Sequence, residues 1–486
     1  MGRQRDLALR LVETGYDASG VERLLGPNAS AAFERGDHLA SLRRLRDDAS
    51  PLATVVRLLL LADAVDRSDL QAALGDTFDV VAPMLDGGSK VRSRIEIAPY
   101  AADDRDWYVA ADWPTARTGE PLADEHVLGV GGASTMLAQC TVRRPVGDAL
   151  DVGTGCGVQS LHLAEHARRV VATDVSRRCL DLARLTFAMN DVEVDVRQGS
   201  LFEPVAGERF DLVVSNPPFV IGSPAREQHV YRDSGLAGDE ICARIVRSMT
   251  DHLAPGGFGQ LLANWEIRDG ESWRHSPLSW LSGSPLDAWV VQREVQDPVA
   301  YVQMWLRDSG ADRTPDYARR YDEWLSTLEL RKVVGIGFGL VSLQAADRDE
   351  PVRRLQHADQ PVAQPVGPDV DRWFRAQDIL CAHPGAELLT VPLVVGSDVR
   401  VDQARRPGAL GDLEAAVVRE TGFRFSGTLD PFGVALLDDL AAAQGGRPVG
   451  ELVAARAIAE GLDAAETLTA AVPVLRRLLE EGFLTP

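Results

Sequence analysis

Residues 149–158 read Ala-Leu-Asp-Val-Gly-Thr-Gly-Cys-Gly-Val: an apolar strand that runs through Asp151 into Gly153, Gly155 and Gly157 and leaves as a helix. Glycines at a strand-to-helix turn let the backbone bend tightly, and with no Cβ in the way they let a ligand approach it. The spacing is G-x-G-x-G. The dinucleotide form G-x-G-x-x-G would need glycine at 158, where Val158 stands. The next strand, Arg169 to Ala172, leads to Asp174, seventeen residues after Gly157. A carboxylate at that strand end can accept both hydroxyls of a ribose.

Outward from this turn the chain alternates strand and helix. Val158 to His166 and Ser176 to Met189 are predicted helices, the second capped by Ser176. Val192 to Arg197 and Phe210 to Ser215 are predicted strands. Asp239 to Leu253 is a predicted helix closed by Pro255-Gly256-Gly257, and Phe258 to Trp265 a further strand. Ala288 to Val295 and Val333 to Leu343 look like a closing antiparallel pair. Such repetition predicts an α/β domain, a mostly parallel Rossmann-like sheet covered on both faces by helices.

At the end of the strand Asp211-Leu-Val-Val-Ser215 stands Asn216-Pro217-Pro218-Phe219, about 60 residues after the glycine turn. Ligands of open α/β sheets bind beyond the carboxyl ends of the strands, so the two motifs meet there. Two prolines stiffen the backbone and turn carbonyls into the cleft. Asn216 supplies an acceptor oxygen, and Phe219 can stack on a flat amide or base.

The glycine turn resembles motif I of class I S-adenosylmethionine (SAM) methyltransferases. D-L-V-V-S-N-P-P-F resembles motif IV of the amino-methyltransferases, which act on planar NH2 groups of glutamine side chains, adenine N6 or guanine N2. The segments Ala172 to Ser176, Met189-Asn190 and Gly199-Ser-Leu-Phe-Glu-Pro204 are similar to the HemK-type glutamine methyltransferases, as is the Gly-rich stretch Tyr231 to Glu240. The resemblance covers about 125 to 265, under a third of the chain. It implies SAM as methyl donor, held by Asp151, Gly153, Thr154, Gly155, Gly157 and Asp174, with Ser200 and Leu201 at the adenine. The family's adenine-reading Asp is Ser200 here, which can accept a hydrogen bond but carries no charge. Asn216, Pro217, Pro218 and Phe219 are the implied catalytic set. The HemK-type enzymes usually have Tyr where Phe219 stands; N-P-P-F is commoner in nucleobase enzymes.

The flanks are of another kind. Residues 1–112 predict helices from Ser50-Pro51, from Ser68-x-x-Gln71 and over Thr77 to Leu85, then strands over Lys90 to Ile97 and Trp107 to Ala110. That order reads as a winged helix. Its third helix offers Asp79 and no Arg or Lys, which argues against reading DNA. Trp113 to Glu125 is a polar linker that opens a methyltransferase domain of residues 113–345. Residues 346–369 read as a second linker. Residues 370–486 read as a helical, winged-helix-like module in which Asp463-x-x-Glu466 opens a helix and Pro473 marks a kink.

The chain has 486 residues; 51 Lys+Arg against 72 Asp+Glu leave a net charge of −21, with Lys90 and Lys332 the only lysines. So acidic a surface repels phosphate backbones on average and disfavours anionic membranes. Cys140, Cys156, Cys179, Cys242 and Cys381 are odd in number, far apart and without a C-x-x-C pair, which excludes a disulfide framework and fits a reducing, cytoplasmic setting. The opening residues, with Asp6, Glu13 and Asp17, do not read as a signal peptide, and Val55 to Val65 is too short to span a bilayer. His126, His162, His166 and His229 do not cluster, so no metal is expected.

Val130 to Thr135 reads either as a closure over the methionine end of SAM or as a helix start. Gly335-x-Gly337-x-Gly339 reads as a packing feature of a strand, and Trp265 as a core or cleft residue. Three functions are open at this stage. The first is methylation of a protein glutamine, such as that of a translation factor, with an activating partner undetermined. The second is methylation of a nucleobase amine in RNA or DNA. The third is a non-catalytic SAM-binding regulator. An intact N-P-P-F argues against the third, acidity against the second and Phe219 against the first.

Overall fold

Apolar runs that end in turn residues build an eight-stranded mixed sheet: β1 (Val146–Val152), β2 (Ala167–Asp174), β3 (Asp195–Gln198), β4 (Phe210–Ser215), β5 (Leu253–Arg268), β6 (Asp287–Gln296), β7 (Val333–Gln344) and β8 (Arg353–His357). The order is β8-β6-β7-β5-β4-β1-β2-β3. The computed structural model describes residues 2–118, 125–218, 220–221, 238–403 and 415–486. Strands β3, β2, β1, β4 and β5 are parallel; β7 runs antiparallel between β5 and β6. Strand order reverses at β1, which opens a crevice at the carboxyl ends of β1 and β4. Ala149, Leu150 and Val152 of β1 are buried, as a strand covered on both faces requires.

Helices α1 (Gly132–Cys140), α2 (Val158–Ala164), α3 (Arg177–Met189) and α4 (Glu240–His252) belong to the β-α repeats. Ser176 caps α3, its Oγ accepting the Cys179 N–H at 3.3 Å. The strand expected from Phe258 begins at Leu253. Pro255-Gly256-Gly257 lies inside β5, where the register against β4 shifts between Leu253 and Phe258. The strand expected over Val192 to Arg197 is the shorter β3. Two helices not expected from the sequence, α5 (Pro298–Asp308) and α6 (Tyr317–Leu330), are inserted between β6 and β7.

The chain divides into two compact units, residues 1–138 with 144–355, and residues 139–143 with 356–486. The stretch read as a linker over 346–369 is built into structure. Buried Asp287 at the start of β6 accepts Arg348 Nε at 2.6 Å and the Val352 N–H at 2.7 Å, and Arg353 to His357 form the edge strand β8. Charged residues are common on such an edge, which is why Arg-Arg-Leu-Gln-His does not read as a strand.

In the first unit, helices Gly2–Glu13, Ala18–Glu34, Leu39–Leu45 and Pro51–Leu59 precede helix Arg67–Leu74 and a three-stranded sheet, in which Lys90–Ser93 pairs with Val65–Asp66 and Leu85–Gly87. Ser50 caps its helix as expected, accepting the Ala53 N–H at 3.2 Å. The helix expected from Ser68 starts one residue earlier, behind Asp66. The helix expected over Thr77 to Leu85 is four α-helical residues, Phe78–Val81, between two 3-10 turns, the second holding Pro83. The strand expected over Lys90 to Ile97 breaks at Arg94-Ile95, where Ser93 Oγ donates to the Ile95 carbonyl at 2.6 Å. A hairpin, Glu96–Ala102 with Arg105–Ala111, docks on α3. Asn190 accepts the Tyr108 N–H at 2.9 Å and donates to the Tyr108 carbonyl at 2.7 Å, filling both backbone positions as a neighbouring strand would.

In the second unit, helices Gly367–Ala382, Pro431–Ala443, Val449–Ala459 and Ala464–Glu480 surround a sheet of Val399–Gln403, Ala415–Arg419 and Ser426–Leu429. Asp463 caps the last helix, accepting the Glu466 N–H at 2.9 Å, and the helix runs on through Pro473. Arg419, 1% exposed, donates to Asp369 at 2.7 Å and to Asp398 at 2.6 Å. Among the described residues no helix is long and apolar enough to cross a membrane.

Candidate active site

β1 delivers Asp151, 1% exposed, to the crevice. Its Oδ2 accepts Thr154 Oγ1 and Ser160 Oγ, each at 2.7 Å; its buried Oδ1 accepts no hydrogen bond among the described residues. Burial pushes this carboxyl up to about 6 against the downward pull of the two hydroxyls. An unfilled buried carboxylate oxygen suits a cationic N–H donor.

The N–H groups of Gly153 and Thr154 both donate to the Thr173 carbonyl at 2.9 Å, folding the turn onto the end of β2. Gly153 has φ +75°, and a Cβ there would project into open space. At Gly157, φ +90°, a Cβ would lie 2.6 Å from the Phe187 ring. The first glycine leaves a cleft open and the last admits α3 against the turn.

Asp174 ends β2 as expected. Its Oδ2 accepts the Gly155 N–H at 3.0 Å and its Oδ1 the Ser176 N–H at 2.9 Å, and the Cys179 thiol and the Val175 N–H also bear on the carboxylate. The Gly199 N–H donates to the Asp174 carbonyl at 3.0 Å, and Thr173 Oγ1 donates to the Leu201 carbonyl at 3.2 Å. The turn bearing exposed Ser200 and half-buried Leu201 therefore sits beside Asp174. Asp151 and Gly153, then Asp174, then Ser200 and Leu201 thus follow one another along the carboxyl ends of β1 to β3, in the order that a methionine–ribose–adenine ligand would need. These residues fit SAM.

Ser215, fully buried, pairs with Val152 across β4 and β1, and its Oγ donates to the Val152 carbonyl at 2.8 Å. Asn216 and Gly153 therefore leave adjacent parallel strands at the same level. The Asn216 Oδ1 is buried and accepts no hydrogen bond among the described residues. Pro217 is buried and Pro218 half-buried. Phe219 and the Gly-rich stretch up to Ala237 lie outside the described residues. Past them, Gly238 (φ +62°) abuts Arg331 and Glu266.

The sequence reading missed what holds the N-P-P-F loop. The Ile221 N–H donates to Tyr301 Oη at 2.8 Å, and the Ile221 carbonyl accepts Trp324 Nε1 at 2.9 Å. Tyr301 and Trp324 come from the inserted α5 and α6. The Val130 to Thr135 segment proves to be the entry to α1, where Gln159 of α2 donates to the Ser134 carbonyl at 2.7 Å. Trp265 is a core residue, fully buried. Gly337 and Gly339 make room for it, since a Cβ on either would fall within 2.6 Å of its ring. Among the described residues no group of His, Cys, Asp or Glu is arranged for a metal.

The sheet and its crevice have the Rossmann-like methyltransferase fold. Residues 129–269 match the model of the methyltransferase small domain; residues 13–85 and 371–486 match two domains of unknown function, DUF7059 and DUF7782. Two similar curated proteins are both named ribosomal RNA small subunit methyltransferase C. That of Enterobacter sp. is 35% identical over 138 residues, 28% of this chain and 36% of the relative. That of Escherichia coli is 31% identical over 174 residues, 35% of this chain and 46% of the relative. The chain thus spans less than half the length of these relatives. Among solved structures, a Thermus thermophilus enzyme named 16S rRNA N2 G1207 methyltransferase, in complex with AdoMet and guanosine, matches at 17% identity, over 49% of this chain and 65% of that one, with a TM-score of 0.28. A Pyrococcus furiosus protein named a methyltransferase matches at 15% identity over 44% of this chain and 81% of its own, with a TM-score of 0.27.

Proposed function

We propose that the protein transfers the methyl group of SAM to the exocyclic amine of a nucleobase in small-subunit ribosomal RNA. Guanine N2 is the first acceptor to test, being the amine for which the Thermus enzyme is named. The observation that carries an amino-methyl transfer is the buried, unfilled Asn216 Oδ1 at the carboxyl end of β4, level with the glycine turn. The rRNA class of acceptor rests on the names of the curated relatives, which favour the nucleobase reading over the glutamine reading.

Bound SAM supplies an electrophilic methyl carbon on a sulfonium. The protein's own part is to hold and aim. Asp151 Oδ1 takes the cationic amino end, Asp174 the ribose hydroxyls, and the turn with Ser200 and Leu201 flanks the base. The acceptor amine is planar because its lone pair is delocalised into the ring. Asn216 Oδ1 and the Pro217 carbonyl accept its two N–H groups, which favours a pyramidal nitrogen with its lone pair in line with the methyl carbon. No strong base is needed, since the nitrogen becomes acidic once methylated.

Incubation with methyl-labelled SAM and undermethylated small ribosomal subunits tests this. Nuclease digestion and mass spectrometry should find label in N2-methylguanosine; label in N6-methyladenosine would change the base and keep the class. Label only in a protein glutamine would overturn the RNA reading.

A further inference from the structure

We propose that the helical pair inserted between β6 and β7 positions the acceptor-binding loop, with Tyr301 and Trp324 as its positioning residues. This rests on the reading of Asn216 as the amine acceptor. The physical need is plain in the chain. After Ser215 the loop leaves the sheet, and Pro217 and Pro218 have no N–H to anchor it. At Ile221, fully buried, both backbone groups are instead bound by side chains. Tyr301 Oη accepts the N–H at 2.8 Å, and Trp324 Nε1 donates to the carbonyl at 2.9 Å. Asn264 of β5 donates to the same Tyr301 oxygen at 3.4 Å, so the hydroxyl joins the loop to the central sheet. Tyr301 and Trp324 are themselves buried and packed edge to face, with ring centroids 6.3 Å apart. Val220 and Ile221 close one apolar cluster with Leu306 and Leu328 of the same helices.

The clamp thus lies five residues beyond Asn216, past Pro217 and Pro218, whose rings fix φ. Its hydrogen bonds among the described residues join Ile221, Tyr301, Trp324 and Asn264, none of them in the glycine turn or at Asp174. Its effect should fall on acceptor geometry and leave SAM binding alone, because sub-ångström errors in a reacting pair cost rate steeply.

Tyr301→Phe keeps the ring and removes only the oxygen. It should slow single-turnover methyl transfer to small ribosomal subunits on the order of tenfold while SAM affinity by calorimetry stays within about twofold. In an Asn216→Ala background it should have no further effect, since both act through one loop. Trp324→Phe should behave likewise, and covers the case of Tyr301→Phe folding poorly. A readout independent of the acceptor is amide exchange: the peptide ending at Ile221 should exchange on the order of tenfold faster in Tyr301→Phe, with β1 unchanged. Wild-type exchange at Ile221 in both variants, or rate losses that multiply with that of Asn216→Ala, would overturn the clamp. If Asn216→Ala alone transfers methyl at the wild-type rate, the reading of the site fails whatever Tyr301 does.

Discussion

The backbone N–H of Gly155 donates to the Asp174 carboxylate at 3.0 Å. The glycine turn after β1 and the acid at the end of β2 are therefore one piece, and neither can move without the other. Asp174→Ala removes the acceptor of two backbone amides as well as that of a ribose. SAM affinity measured by calorimetry should fall at least several-fold, and the melting temperature should drop, because each buried amide left unpaired costs about 1–3 kcal/mol. A folded Asp174→Ala protein with unchanged SAM affinity would remove this acid from the cofactor site.

With Asp151 Oδ1 as the proposed partner of the SAM amino group, SAM binding should depend on pH. The Asp151 carboxyl is raised to about 6 in the fold, above its unfolded value, so the folded state holds the proton more tightly. Its contribution to the stability of the ligand-free protein is full at low pH, declines as pH rises from about 4 to about 6, and is level beyond. A cationic ligand prefers the ionised form, so SAM affinity should rise about tenfold from pH 5 to pH 7 and then flatten. Ser160→Ala removes one of the hydroxyls that hold the carboxyl down and should move the midpoint upward. A SAM affinity that is flat from pH 5 to pH 7 would count against Asp151 Oδ1 as the partner of the amino group.

Asn216→Ala should slow methyl transfer on the order of 10²-fold or more, the loss seen when one positioned polar group is removed. SAM affinity should be nearly intact, because on the proposed reading the side chain serves the acceptor and not the cofactor. Single-turnover assays with the true acceptor decide between this and a structural role, in which both quantities would fall together.

The two glycines at the ends of the turn should respond differently to a methyl group. Gly157→Ala drives a Cβ into the Phe187 ring, so chemical denaturation should show a loss of about 2–4 kcal/mol, backbone strain and overpacking together. Gly153→Ala carries only the left-handed backbone cost of about 1–2 kcal/mol, but its methyl enters the open cleft and should weaken SAM binding more than it weakens the fold. Equal losses of stability would show that the spaces beside the two residues do not differ as described.

The parts of the site that lie in short continuous stretches were legible in the sequence. Gly153 to Gly157 require particular backbone angles, Asp174 follows at a strand end, and Asn216-Pro217-Pro218 has few other uses at such a position. The clamp was not legible, since Tyr301 and Trp324 lie 80 and 103 residues from Ile221 and meet it only through the tertiary fold. β8 was hidden by its charge, and the helical stretch before Ser50 by Gly15, Gly20 and Gly26-Pro27, which break its apolar periodicity into short pieces. The net charge of −21 weighs against RNA only as an average over the surface and says little about one crevice.

Arg419 governs how the second unit can change. Its guanidinium is shut off from water and bound by Asp369, on the helix that begins the unit, and by Asp398, at the approach to the sheet. Loss of either acid leaves a buried cation half-neutralised, and loss of the arginine leaves buried Asp369 with only the part-exposed Arg372 as counter-charge. No single step out of this arrangement avoids an unstable intermediate, so the three positions are expected to be inherited together or replaced together. Among descendants of this sequence, a lineage that has lost one of the three should carry a compensating change at another.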